Sequence, residues 1–147
     1  MLKLNSLLFS ALVILASSAV TAQTIDLGRG LLPLTIPENY NSATSTPLII
    51  LLHGYSSSGV GQDAYMGFSK IADRYGFILV APDGTKESAG DNNRFWNASD
   101  ACCDFFSLEV DDSAYVLSII NEVKSDYNID ANRVFLIGHS TGGFMSY

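Results

Sequence analysis

The chain has 147 residues and carries 8 Lys and Arg against 15 Asp and Glu, a formal net charge of -7. The charges are dispersed, which describes an ordinary solvated surface, and their acidic balance argues against a nucleic-acid partner. Charge says little about substrate.

Lys3 precedes an apolar run from Leu7 to Ala16, followed by small residues that end in Val20-Thr21-Ala22. This is the layout of an export signal cleaved after Ala22, so residues 1–22 are expected to be removed and the remainder secreted, outside the cell or in the periplasm. A membrane anchor is the alternative, but the run is shorter than the roughly 20 residues a spanning helix needs. No stable membrane insertion is expected. Loss of Lys3 makes the mature chain more acidic still.

Beyond the signal, short apolar runs alternate with amphipathic stretches, as in a layered α/β domain. Leu31 to Ile36 reads as a first strand, with Pro33 suggesting an edge position. A loop from Pro37 to Pro47 leads to the unbroken apolar run Leu48 to Leu52, which suits a strand buried on both faces. Tyr55 to Gly61 is a Gly/Ser loop. Asp63 is then expected to cap a helix with Ala64, Phe68, Ile71, Ala72 and Tyr75 at helical spacing, stopped by Gly76. Phe77 to Ala81 is the next buried strand.

Pro82 to Glu109 is a long irregular stretch whose aromatics, Phe95, Trp96, Phe105 and Phe106, argue against disorder. It contains both cysteines of the chain, Cys102 and Cys103. Adjacent Cα atoms lie about 3.8 Å apart across a trans peptide, too close for ordinary disulfide geometry, so partners elsewhere are expected, with two buried free thiols as the alternative. A second helix is expected from Asp112 to Tyr127, its acidic start favoured by the helix dipole. Asn128 to Asp130 turns the chain into a third apolar strand, Val134 to Ile137.

That strand runs into Gly138-His139-Ser140-Thr141-Gly142, a GxSxG pattern between a strand and an expected helix. The physical demand is a sharp turn that lifts Ser140 Oγ above the sheet edge, and glycines at 138 and 142 remove side chains that would collide. Ser140 is therefore the candidate nucleophile. His139 is too close in the chain to serve as its base. A developing oxyanion needs two preorganised backbone donors, for which Thr141 and Tyr55 are the candidates. Joined to this elbow, His53-Gly54 at the end of its own strand reads as part of the site, the alternative being a tight turn with a buried histidine. His53 is a candidate substrate contact.

The segments LLHGYSSSG, ILVAPDGT, RFWNASDACC, VDD and RVFLIGHSTGG together resemble the secreted polyhydroxybutyrate depolymerase and feruloyl esterase group of α/β-hydrolases. The resemblance runs from about Pro47 onward. It implies a mostly parallel sheet with helices on both faces and a carboxylic-ester hydrolase with a Ser-His-Asp triad acting through an acyl-enzyme. By it, Ser140 is the nucleophile, Tyr55 and Thr141 supply the oxyanion hole, and Asp111 and Asp112 organise the helix before the elbow. By it too, Trp96 and Asn97 fall near the site wall, Trp96 as a candidate substrate contact, with core packing and a loop hydrogen bond as the competing readings. Asn97-Ala98-Ser99 is also a glycosylation sequon.

In that fold the triad order is Ser, acid, His, and the chain stops at Tyr147. The expectation is an N-terminal piece, residues 23–147 of one domain whose C-terminal half is missing, which folds poorly and hydrolyses little alone. The expected partner is an ester substrate, either a polyester or an acylated polysaccharide. No metal cluster or phosphate-binding loop is seen, so no cofactor is expected. A peptidase of the same fold and a secreted domain lacking a working triad are the competing readings.

Overall fold

The apolar run Leu48 to Leu52 becomes an inner strand of the sheet. The computed structural model describes residues 23–100 and 102–147, so the expected signal segment lies outside the described residues. Strands β1 (Thr24–Asp26), β2 (Leu31–Thr35), β3 (Thr46–Leu52), β4 (Ile78–Val80) and β7 (Ile129–Gly138) form one sheet in the order β1-β2-β4-β3-β7. β4, β3 and β7 run parallel, while β1 and β2 add an antiparallel end.

Side chains alternate across β3, so its two faces feed two cores. Leu48, Ile50 and Leu52 join Ile78, Val80 and Trp96 beneath Val116, Ile119 and Val123 of α3 (Asp112–Asp126). Ile49 and Leu51 join Leu79, Phe77 and Ala72 on the other face, beside α1 (Gly59–Met66) and α2 (Ala72–Tyr75). Both faces of the inner strand are thereby removed from water, at about 1.5–3 kcal/mol of favourable burial for each large aliphatic side chain. β7 forms the sheet's edge on the other side of β3, and Phe135 on it is half exposed.

Several expectations are corrected. The helix expected to be capped by Asp63 is capped five residues earlier, by Ser58, whose Oγ accepts the Gly61 N–H at 3.0 Å. It also ends early, at Gly67, whose φ of 73° is left-handed. Asp63 caps the next segment instead, accepting the Ser69 N–H at 2.9 Å ahead of a short 3-10 turn, Ser69–Ile71, and α2. The Pro33 strand is interior, between β1 and β4. Pro33 lies opposite Thr24, one residue before pairing with β4 begins at Leu34, so its missing N–H falls outside that ladder. Finally, Cys102 and Cys103 are bonded to one another across a cis peptide bond, with Cα atoms 3.1 Å apart, where distant partners were expected.

The long stretch after β4 is not structureless. Thr85–Lys86 (β5) and Arg94–Phe95 (β6) pair as an antiparallel hairpin. Asp111 caps α3 by accepting the Ala114 N–H at 2.8 Å. Asp112, buried at the helix start, pairs with Arg29 at 2.6 Å and accepts from the Asn97 N–H at 2.6 Å and Thr85 Oγ1 at 3.2 Å. One carboxylate therefore ties the helix, the hairpin and the chain before β2 together.

Candidate active site

Leu52 pairs with Gly138 in parallel register, so β3 and β7 end side by side and release their following loops at the same sheet edge. After β7 the chain turns through His139 and Ser140 into α4 (Thr141–Met145). Ser140 has φ 52° and ψ -118°, a combination that costs an L-residue conformational energy and persists only where its surroundings hold it. Here the flanking bonds are His139 N–H to Leu52 O at 3.2 Å, Gly142 N–H to His139 O at 3.0 Å, and Phe144 N–H to Ser140 O at 3.1 Å. The serine side chain is left exposed above the edge.

The two elbow glycines are sterically required. A Cβ on Gly138 would run into the backbone of Gly142, and one on Gly142 would run into the carbonyls of Leu52 and His53. Gly54 faces the elbow from the other loop, where an added Cβ would lie 3.1 Å from His139 Nδ1 and 3.4 Å from Ser140 Cβ. Between the loops opens a cleft of about 330 Å³, lined by Gly54, Tyr55, Gln62, Tyr65, His139 and Ser140 among others. Among the described residues, neither the Tyr55 nor the Thr141 backbone N–H is paired with an acceptor. Both flank the serine, one from each loop.

His53 and Trp96 are placed elsewhere than the sequence suggested. Both side chains are fully buried and neither lines the cleft. His53 Nε2 accepts the Gly84 N–H at 2.9 Å, so its proton sits on Nδ1 and is donated to Gly54 O at 2.7 Å. Burial holds its pKa below the ordinary histidine value, opposed by the bond to Gly54 O. Trp96 Nε1 donates to His53 O at 3.0 Å, its ring centroid 5.2 Å from the imidazole. The pair hold the loop from behind rather than meeting a substrate. Asn97 is likewise a loop fastener, donating from Nδ2 to Val110 O at 2.9 Å.

Sequence reasoning missed three residues of this region. Gln62 and Tyr65 reach the cleft because α1 starts early, at Gly59, whose lack of a side chain lets the helix sit against Ala81 O. Gln62 is buried and its Oε1 receives the Gly54 N–H at 3.4 Å. Glu87, buried beyond β5, accepts a hydrogen bond from the Tyr55 hydroxyl. A charged residue just after a two-residue strand carries no periodic signal, which explains its omission.

A largely parallel sheet that carries a strained serine on a strand-to-helix elbow, with a second loop facing it, defines an α/β-hydrolase. Solved structures agree on the fold: an acetyl xylan esterase from Aspergillus awamori superposes with a TM-score of 0.57 at 21% identity, over 84% of this chain and 45% of that one. A thermostable esterase does so with 0.56 at 19% identity, over 85% and 35%. The family model described as Esterase PHB depolymerase matches residues 34–146, and the chain belongs to that family.

Curated relatives include feruloyl esterase B of Neurospora crassa, 33% identical over 106 residues, which are 71% of this chain and 34% of that protein. A bifunctional acetylxylan esterase/xylanase of Neocallimastix patriciarum is 32% identical over 107 residues, 73% of this chain and 14% of that protein. Poly(3-hydroxyalkanoate) depolymerase C of Paucimonas lemoignei is 28% identical over 153 aligned residues, 97% of this chain and 34% of that protein. The chain thus spans about a third or less of these relatives. No helix among the described residues is long and apolar enough to cross a membrane.

Proposed function

We propose that the protein carrying this chain is a secreted serine carboxylic-ester hydrolase with Ser140 as nucleophile. The observation that carries the reading is the backbone of Ser140, φ 52° and ψ -118°, held at the edge of a parallel sheet between two glycines that admit no side chain. Such a conformation is costly and serves to present Oγ.

Ser140 Oγ attacks the ester carbonyl, and the negative charge that develops on the carbonyl oxygen is received by the N–H groups of Tyr55 and Thr141. Collapse of the tetrahedral species expels the alcohol and leaves an acyl-serine, which water then hydrolyses. The base that takes the serine proton is neither of the chain's histidines. His53 is buried with both ring nitrogens engaged, and His139 is the neighbour of Ser140 in the chain. The histidine partner therefore comes from elsewhere in the full protein. The names of the relatives, a feruloyl esterase, an acetylxylan esterase and a polyhydroxyalkanoate depolymerase, support an ester carried on an extracellular polymer as substrate. The acyl group is the variable part.

The test is hydrolysis of p-nitrophenyl acetate by the full protein beside its Ser140→Ala variant. A fall in kcat/KM of at least about 10,000-fold is expected, since losing a triad nucleophile removes the covalent route entirely. A loss below tenfold overturns the assignment. Export is tested by sequencing the N-terminus of protein recovered from the medium or periplasm, where Gln23 is the expected first residue; a mature chain that still begins at Met1 overturns that part.

A further inference from the structure

Glu87 and Asn93 stand on either side of the turn of the β5–β6 hairpin, and the hairpin continues past its paired strands through a Glu87 N–H to Asn93 O bond of 2.9 Å. Glu87 is only 5% exposed. A carboxylate taken so far from water is costly unless its oxygens are hydrogen-bonded. Both are. Oε1 receives the Tyr55 hydroxyl, and Oε2 receives the Asn93 N–H at 3.1 Å. Asn93 Nδ2 completes the ring of contacts by donating to the Tyr55 hydroxyl oxygen at 3.3 Å. Among the described residues no cation pairs with Glu87.

The same hairpin segment holds the rest of the loop after β3. Arg94 O receives the Ser56 N–H at 2.8 Å, and Ser56 sits at φ 67°, a left-handed conformation unusual for serine. Asp83 Oδ1 receives the Gly59 N–H at 2.8 Å, Gly84 N–H reaches His53 Nε2, and Trp96 reaches His53 O. Phe105 meets the Tyr55 ring edge-on at 5.4 Å. With the Gly54 N–H held by Gln62 Oε1, each residue of the segment 53–56 has at least one tie from outside it, while the Tyr55 N–H is unpaired among the described residues.

We propose that Glu87 is a positioning residue for catalysis: through the Tyr55 hydroxyl, and with Asn93, it sets the direction of the Tyr55 backbone N–H toward the oxyanion. This rests on the reading of Ser140 as nucleophile and Tyr55 N–H as oxyanion donor. The Tyr55 side chain is the lever and its amide the working end. An amide aimed before the reaction begins stabilises the charge that develops without reorganising. The interaction strengthens in the transition state, so its loss appears in kcat rather than in KM.

The experiment is steady-state hydrolysis of p-nitrophenyl acetate by the full protein and its Tyr55→Phe, Glu87→Ala and doubly substituted variants, with melting temperatures recorded. Tyr55→Phe keeps the amide and the ring and removes only the hydroxyl. The expected result is a kcat about tenfold lower in each single variant, KM within twofold, and a double variant no worse than the poorer single one. Glu87→Gln, which keeps one acceptor oxygen, recovers part of the loss. Affinity for a boronic-acid inhibitor, which mimics the tetrahedral species, falls in proportion to kcat.

Unchanged kcat in a folded Tyr55→Phe protein overturns the proposal, as does a rise in KM alone or strict additivity in the double variant. Should Glu87→Ala fail to fold, Tyr55→Phe decides alone. Ser140→Ala separates the two levels: if it stays active the nucleophile reading fails, whereas if it is inactive while Tyr55→Phe is unaffected, only the positioning role fails.

Discussion

The two loops that meet at the cleft reach the same end by opposite means. The elbow, 138–142, stores its strain within itself: Ser140 adopts a costly conformation, and backbone bonds to Leu52, His139 and Ser140 carbonyls hold it with almost no help from side chains. The loop after β3, 53–59, is restrained from outside, by Asp83, Gly84, Glu87, Arg94 and Trp96, all from one segment that follows β4. The difference teaches where each is vulnerable. A tight backbone turn has no slack for an added atom, whereas a loop with many ties loses them one at a time.

The strongest way to break the comparison is Gly142→Ala. Its Cβ meets two carbonyls that belong to the inner strand β3 and the residue after it, so neither neighbour can retreat cheaply. A loss of about 3 kcal/mol is expected, at the upper end for overpacking, together with loss of ester hydrolysis as Thr141 is displaced. Urea unfolding and the nitrophenyl assay check both, and an alanine variant as stable and active as the parent would show that the elbow has slack after all.

On the loop side, Trp96→Phe keeps an aromatic ring but leaves His53 O without its buried donor. The expected cost is about 1–3 kcal/mol, the range for an orphaned buried acceptor. Differential scanning calorimetry measures it. A cost larger than that of Gly142→Ala would erase the distinction between the two loops.

The smallest effect is a pH slope that belongs to the loop alone. The folded state holds His53 below its ordinary pKa, so between the folded value and about 6.5 the unfolded chain binds more protons. The contribution of His53 to stability is therefore complete above about pH 6.5 and declines as pH falls through that window. Urea midpoints compared between pH 5 and pH 8 should show a decline toward acid that is shallower in His53→Gln. Identical slopes in parent and variant would mean that His53 protonates as freely folded as unfolded.

Much of this was legible beforehand in particular residues. Leu48 to Leu52 read as a strand buried on both faces, and it is an inner strand of the sheet. Asp111 and Asp112 marked the start of α3, and the elbow stands where GHSTG placed it. The hairpin at Thr85–Lys86 and Arg94–Phe95 was not legible, because two-residue strands are too short to show alternation. Nor was the break at Gly67, since the apolar spacing runs straight through it from Ala64 to Tyr75 and only the left-handed backbone reveals the stop. His53 and Trp96 could be located near the site by their place in the chain, but burial alone decided that they support the loop.

What the amino-acid sequence determined by itself was local: which runs are apolar enough to be inner strands, where helices are capped, and where glycine leaves room for a sharp strand-to-helix turn. Those properties are set by neighbours a few residues apart and are written in the order of the side chains. The tertiary structure decided which residues face the cleft and which stand behind it. Tyr55 and Glu87 are 32 positions apart and His53 and Trp96 are 43. Such pairs meet only once β3, β4 and the hairpin have packed, because their contacts depend on the path of the chain between them and not on any local preference.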